Sequence, residues 1–360
     1  MAETIYRRLQ QVLDTLPNGF PEAEDGVDIK ILKRIFTEEE AEIFCDLRLT
    51  YETPEQISER SGRSLEGLNE NLIRMWKKGQ IFGIDFGGVY VFRMAAWVFG
   101  IYEFQLKFMD REFAELCKTY EERYAHEFFT VSPPLMHVVP VEEQLGGEGE
   151  PLPFDQVSSI IEKGQSFGLA ECICKVEHGL LDNPCTKPTE VCLSIAPVPG
   201  FFDDHPLAIR PITKEKAYEV LKASEEAGLV HMTNNFEKGH FYICNCCGCC
   251  CGVLRNAKEL GVGNAIHSNY MAVIDEEACV GCGLCADERC QLDAIEEVDE
   301  TYRVMADKCI GCGLCISTCP ADAVSIVRKA EGALEAPPKN EADWYAKRAE
   351  ARGVDYSRYA

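Results

Sequence analysis

Eight cysteines near the C-terminus form two runs with nearly the same spacing. In each run three cysteines are separated by two residues, and a fourth follows a few residues later. The runs comprise Cys279, Cys282, Cys285 and Cys290, then Cys309, Cys312, Cys315 and Cys319. An iron–sulfur cluster needs four thiolates, and a C-x-x-C-x-x-C run supplies three of them. Because the triple spacing occurs twice, the pattern favours iron–sulfur ligation over the alternative of two zinc sites.

The two runs resemble those of bacterial two-cluster ferredoxins, in which the fourth cysteine of each run ligates the other cluster. The resemblance implies a ferredoxin-like βαβ repeat over residues 271–330. Carried over by position, it implies one [4Fe-4S] cluster on Cys279, Cys282, Cys285 and Cys319, and another on Cys309, Cys312, Cys315 and Cys290. The first run departs from the family pattern, because four residues separate Cys285 from Cys290 and Gln291 replaces a proline. The longer gap predicts a local bulge around Cys290.

Glycines and carboxylates around these runs bear on the reduction potential. The glycines allow positive φ angles and bring backbone N–H groups close to sulfur; they are Gly281, Gly283, Gly311 and Gly313. Nearby carboxylates oppose the negative charge that reduction adds. We therefore expect a low-potential module.

Ten more cysteines lie upstream in two groups, Cys172, Cys174, Cys185 and Cys192, then Cys244, Cys246, Cys247, Cys249, Cys250 and Cys251. The first group suits one tetrahedral site, for which an iron–sulfur cluster is favoured over zinc or no metal. If the second group enters a helix, Cys246, Cys249 and Cys250 share one face, and Cys247 and Cys251 share another. The segment could then feed two metal sites. The ten thiols suit two clusters, with two thiols left over or bound to a less usual cluster.

Two further resemblances concern this region. The Cys-Cys-Gly repeats at 246–248 and 250–252 resemble the cysteine-rich domains of heterodisulfide reductases, which implies a catalytic site as an alternative. Residues 160–330 resemble 4Fe-4S dicluster-domain proteins of anaerobic bacteria, which implies a redox role.

Residues 1–130 predict a mostly helical, winged-helix-like domain. Thr37 with Glu40, and Thr53 with Gln56, are capping signals for helices that run to about Leu49 and to Gly62. A third helix is expected from Ser64 to Gly79, followed by strands over residues 81–85 and 89–93. Because the outward positions of the third helix lack a basic stripe, docking of a protein is favoured over DNA binding.

A long amphipathic helix is predicted from Arg93 to about Tyr124. Its aromatic stripe favours packing or dimerisation over cofactor contact. His126 and His137 flank the segment that follows, and neither has an obvious partner in the sequence.

The remaining organisation is that of an α+β, multidomain chain. An exposed linker is expected at 131–153. A cysteine-rich metal-binding domain follows at 154–270, with helices over 154–163 and 214–227. The tail at 331–360 is expected either to serve as a binding arm or to be disordered. No signal peptide and no apolar run of membrane-spanning length is evident. The thiols therefore indicate metal ligands in a reducing cytoplasm. The net charge of −24 disfavours nucleic acid and favours a redox partner with a basic docking patch.

The sequence predicts a multi-cluster iron–sulfur electron-transfer protein or subunit that relays low-potential electrons to or from a partner oxidoreductase. No flavin or nucleotide motif is present, which favours an electron-transfer subunit over a free-standing enzyme. The alternatives are a reductase with an unusual catalytic cluster at residues 244–251, and a redox-sensing winged-helix regulator.

Overall fold

The computed structural model describes residues 2–141, 155–260, 266–330, 334 and 336–360, and these mix helices and strands. The helices are α1 (Ala2–Thr15), α2 (Val27–Ile35), α3 (Glu38–Phe44), α4 (Pro54–Ser61), α5 (Leu68–Lys77), α6 (Tyr102–Phe104), α7 (Arg111–Phe129), α8 (Val157–Glu162), α9 (Ile173–Leu180), α10 (Lys214–Glu226), α11 (Gly252–Leu260) and α12 (Glu341–Arg352). The strands are β1 (Ile81–Asp85), β2 (Tyr90–Met94), β3 (Met136–Val138), β4 (Ser166–Glu171), β5 (Glu190–Ala196), β6 (Arg210–Ile212), β7 (Val230–Asn234), β8 (Tyr242–Cys246), β9 (Ile266–His267), β10 (Tyr270–Ile274), β11 (Ile295–Val298), β12 (Thr301–Val304) and β13 (Val324–Arg328).

The capping signals of the N-terminal region form as predicted. Thr37 and Thr53 each cap a helix in a reciprocal capping box. Helix α4 ends at Gly62, whose φ of 74° suits glycine. Two bounds differ from the prediction. Helix α3 ends at Phe44, short of Leu49, and α5 begins after Gly67 and not at Ser64.

The predicted helix from Arg93 to Tyr124 is wrong. Residue Arg93 lies in strand β2, which pairs with β1, and a π-type turn follows at Trp97–Ile101. Gly100 is non-helical there, with φ 170° and ψ −104°. After α6 and a 3-10 turn, the Asp110 carboxylate accepts the Phe113 N–H and starts α7. The non-helical backbone over residues 98–100 and this new N-cap interrupt the helix that the aromatic spacing suggests.

A seven-stranded sheet forms the centre of the molecule, in the order β6-β4-β5-β8-β7-β3-β9. Its neighbours are antiparallel except for the parallel pair β3 and β9. Strand β3 falls within residues 131–153, which are predicted as a linker. Residues 142–154 lie outside the described residues, and they include the rest of the predicted linker and the predicted start of a helix at Phe154. Near the C-terminus β10 pairs with β13, and β11 pairs with β12.

The predicted tail contains helix α12, and this helix is packed into the core; it is neither an exposed arm nor disordered. Arg348 is fully buried and donates hydrogen bonds to the carbonyls of Phe128, Val131 and Pro133. The Trp344 indole N–H donates to the Pro134 carbonyl, also in a buried position. Because α12 satisfies buried carbonyls of the segment that enters the sheet, it is a structural part of the core.

Candidate iron–sulfur and metal sites

The backbone around the C-terminal cysteines has the form that sulfur ligation requires. All four glycines of the two runs have positive φ, between 59° and 81°. At Gly311 an added Cβ would lie 2.3 Å from the Tyr270 carbonyl oxygen, so a side chain there would clash with backbone. Backbone N–H groups donate to thiols at two equivalent points: Ala294 to Cys290 at 3.1 Å, and Ala323 to Cys319 at 3.3 Å. Such hydrogen bonds stabilise thiolate ligands.

The structure brings Cys290 to the second run. Cys290, Cys309, Cys312 and Cys315 line one cavity of about 30 Å³, together with the buried side chain of Val230. The predicted bulge is present as a π-type turn over Cys285–Arg289, closed by the Cys290 N–H on the Cys285 carbonyl. The π turn accommodates the extra residue of the first run.

The other four cysteines of the module have weaker contacts. Cys285 is buried and lies in the electrostatic field of Cys279 and Cys282. Cys319 packs into the same apolar cluster as Cys285. Burial raises the pKa of Cys285, and it raises the pKa of Cys312 in the second run to about 12. Metal binding must therefore displace these protons.

Upstream, Cys185, Cys247, Cys249 and Cys250 form a compact group that we call the four-thiol site. All four sulfurs lie within 4.8 Å of one another. The Sγ of Cys185 is 3.7 Å from those of Cys247 and Cys249, and Cys249 is 3.6 Å from Cys250. Cys247 and Cys250 are buried, whereas Cys249 is exposed.

The other upstream thiols line a cavity of about 100 Å³, and Cys250 of the four-thiol site also reaches its wall. We call them the six-thiol ring: Cys172, Cys174, Cys251, Cys246, Cys244 and Cys192. Interactions between neighbouring thiols shift their pKa values. Cys192 and Cys246 lower the pKa of Cys244, and Cys172 raises that of Cys174.

These two groups correct the predicted partition of the upstream thiols. The Cys185 sulfur is grouped with Cys247, Cys249 and Cys250 and not with Cys172, Cys174 and Cys192, which were expected to share a site with it, although Cys172, Cys174 and Cys185 pack against the same small apolar cluster. The expected helical grouping is also wrong. Cys244 and Cys246 lie in strand β8, where alternate residues face the same side. Helix α11 begins only at Gly252, so Cys246 faces the ring while Cys249 and Cys250 form the other site.

The N-terminal region forms part of the wall of the six-thiol cavity. Trp97, Phe99 and Tyr102 come from the broken segment before α7, and Cys117 and Tyr124 come from α7 itself. Sequence reasoning missed these residues as part of a site. The aromatic spacing was read as a packing stripe, and nothing in the sequence connects residues 97–124 with the cysteines beyond residue 170.

Three carboxyl groups line the same cavity, those of Glu103, Glu121 and Glu177. Burial raises the pKa of Glu103 to about 8 and that of Glu177 to about 7. The Tyr102 hydroxyl donates to Glu177, and the Gly100 N–H donates to Glu103 at 2.7 Å. Arg255 lies beside the ring and pairs with Glu121 at 2.6 Å. The cavity therefore combines thiols, aromatic rings and protonatable carboxyls.

The buried residue Val230 connects the strand that carries Cys246 of the six-thiol ring with the cavity of the C-terminal cysteines. Val230 pairs with Cys246 across strands β7 and β8. Its side chain also lines the cavity of Cys290, Cys309, Cys312 and Cys315. The four-thiol site touches the same module elsewhere, since the Gly248 N–H donates to Gln291 Oε1 at 2.9 Å.

The two histidines singled out from the sequence belong to strand β3 and helix α7. His137 is buried in β3, with Nδ1 3.0 Å from the Asn234 carbonyl oxygen. His126 belongs to α7, and its side chain lies outside the described residues.

Residues 272–326 match the family model of the 4Fe-4S dicluster domain. This match and the cysteines support a C-terminal, ferredoxin-like iron–sulfur module with a role in electron transfer. No curated protein and no solved structure shows significant similarity to the chain. Among the described residues, every helix is too short or too polar to cross a membrane.

Proposed function

We propose that this protein relays low-potential electrons through at least three iron–sulfur clusters, to or from a partner oxidoreductase. Two [4Fe-4S] clusters occupy the C-terminal module. Their ligands are Cys279, Cys282, Cys285 and Cys319 for one, and Cys290, Cys309, Cys312 and Cys315 for the other. A third iron–sulfur cluster occupies the six-thiol ring. When bound, the clusters supply one-electron redox chemistry.

The observation that carries the proposal is the position of Val230. Val230 lines the cavity of Cys290, and it is also the residue that pairs with Cys246 across strands β7 and β8. Strand β7 therefore lies next to both sites, since it pairs with the strand of Cys246 and reaches the cavity of the second cysteine run. Such an arrangement suits electron transfer between them and leaves the outer cysteines, Cys279 and the exposed Cys282, facing a partner.

Charge supports a partner with a basic docking patch. The net charge is −24, and exposed carboxylates flank the C-terminal module, among them Glu277, Glu288 and Glu296. Opposite charge on the partner would steer association. The order helix, helix, hairpin of α4, α5, β1 and β2, with a bridge from Glu52 to Phe92, supports a winged-helix-like unit that docks protein.

Iron and acid-labile sulfide counts on anaerobically purified protein test the proposal. Three cubanes hold about twelve irons, so we expect at least about that number per chain. Cys244→Ser removes one thiol of the ring, and it should lower the count by about four irons. The matched control is Cys45→Ser, a buried thiol of the N-terminal core that belongs to neither site.

Electron paramagnetic resonance of the reduced protein gives a second readout. We expect signals from the C-terminal clusters to persist in Cys244→Ser and a further signal to be lost. A wild-type count of about eight irons, unchanged in Cys244→Ser, would restrict electron transfer to the C-terminal module.

The number of thiols in the ring favours a second candidate, a reductase whose centre lies in the six-thiol cavity. Six thiols exceed the four that a cubane uses, and Tyr102 and Glu177 provide proton-bearing groups beside them. Reduction of a disulfide takes two electrons and two protons, breaks one S–S bond and yields two thiols. Turnover of a small disulfide by the reduced protein with no partner present, and its loss in Cys244→Ser, would favour this candidate over a pure relay.

A further inference from the structure

The geometry of the four-thiol site differs from that of the other cysteine sites. Among the residues that the structure describes, no other set of three or more cysteine, histidine or acidic side chains brings its ligand atoms within 4.8 Å of one another. The cysteines of the C-terminal module and of the six-thiol ring are described, so no three of their thiols lie as close together as those of the four-thiol site. Wide spacing suits a cluster, because each thiolate binds a different iron at a different corner.

A single ion requires shorter distances. Four sulfurs at the zinc–sulfur distance of about 2.3 Å around one tetrahedral ion lie about 3.8 Å from each other. The measured Sγ–Sγ distances are 3.7 Å from Cys185 to Cys247, 3.7 Å from Cys185 to Cys249, and 3.6 Å from Cys249 to Cys250. We propose that Cys185, Cys247, Cys249 and Cys250 bind one zinc ion in a closed tetrathiolate site, separate from the electron path.

The surroundings of the site fit a structural role. Cys185 comes from the loop between α9 and β5, and the other three come from the turn between β8 and α11. The Lys187 ammonium from the first loop binds the Ala227 carbonyl, and the Gly248 N–H from the second binds Gln291. A zinc ion at this point joins two irregular segments of the central sheet region to the C-terminal module. With four protein ligands, no position is left open for substrate, as is usual in structural zinc sites.

The site is independent of the proposed clusters, and the two can be tested apart. Zinc and iron are measured by plasma mass spectrometry on anaerobically purified full-length protein. We expect one zinc per chain in the wild type. Cys185→Ser should lose the zinc and keep its iron and sulfide. Cys244→Ser, from the six-thiol ring, should do the reverse and keep the zinc while losing iron.

X-ray absorption at the zinc edge on the wild-type protein gives a readout that does not depend on a variant folding. Four sulfur neighbours at about 2.3 Å, with no iron neighbour, are the expected result. Loss of iron together with sulfide in Cys185→Ser, with no zinc in the wild type, would overturn the proposal in favour of a cluster. Iron without sulfide at this site would overturn the choice of zinc. If the wild-type protein contains one zinc but fewer than about twelve irons, the zinc site is supported and only the proposed three-cluster relay is contradicted.

Discussion

A methyl group added at Gly248 should disturb the contact between the cysteine-rich turn and the C-terminal module. Its added Cβ would lie 2.2 Å from the Gln291 carbonyl oxygen and 3.2 Å from the carbonyl carbon. Ordinary contact begins near 3.4 Å, so one backbone segment must move by roughly 1.2 Å. No rotation of a side chain relieves the clash, because the atoms it meets are backbone. Overpacking of this kind costs about 1–3 kcal/mol.

The assay is chemical unfolding under anaerobic conditions, followed by circular dichroism, of Gly248→Ala against wild type. We expect a lower free energy of unfolding by about 1–3 kcal/mol and weaker protection of the Gln291 segment in hydrogen exchange. The matched control is Gly179→Ala in helix α9, an exposed position with nothing within 4 Å of the added atom. Alanine there should be neutral or stabilise the helix by up to about 1 kcal/mol. Equal unfolding midpoints for the two variants would refute the close approach of Gly248 to Gln291.

Two further predictions concern buried charge. Arg348→Met leaves three backbone carbonyls without their donor. At about 1–3 kcal/mol for each carbonyl, the unfolding free energy should fall by at least about 3 kcal/mol. The control Lys347→Met, at an exposed position, should change the unfolding free energy little, and equal effects of the two variants would contradict the buried role of α12. Burial raises the pKa of Asp155 from 3.8 to about 6. Above pH 6 the buried carboxylate is ionised and the full destabilisation of the folded state is present; this destabilisation disappears as the pH falls towards 4. Asp155→Asn should therefore stabilise the protein at pH 7.5 by up to about 3 kcal/mol and clearly less at pH 5; the same gain at both pH values would count against this pKa.

Local interactions explain which parts of the fold were predictable. The reciprocal capping boxes at Thr37 and Thr53 depend on residues three positions apart. The bulge before Cys290 follows from one extra residue in a short run. No continuous helix forms over residues 93–124, because the backbone is non-helical at residues 98–100 and Asp110 caps a new helix. The buried tail could not be foreseen, since the carbonyls that Arg348 satisfies lie more than two hundred residues earlier.

By itself, the sequence determined that this protein carries iron–sulfur ligands in its C-terminal region, because the C-x-x-C-x-x-C spacing of each run places three thiolates around one cluster. It also determined that ten further thiols lie between residues 172 and 251. Only the tertiary structure decided how those thiols divide. The β pairing places Cys192 near Cys244 and aligns Cys246 with Val230, while a loop carries Cys185 to the turn of Cys247, Cys249 and Cys250. Contacts between residues so far apart in the chain depend on strand register and loop path, and neither is encoded in the spacing of the cysteines.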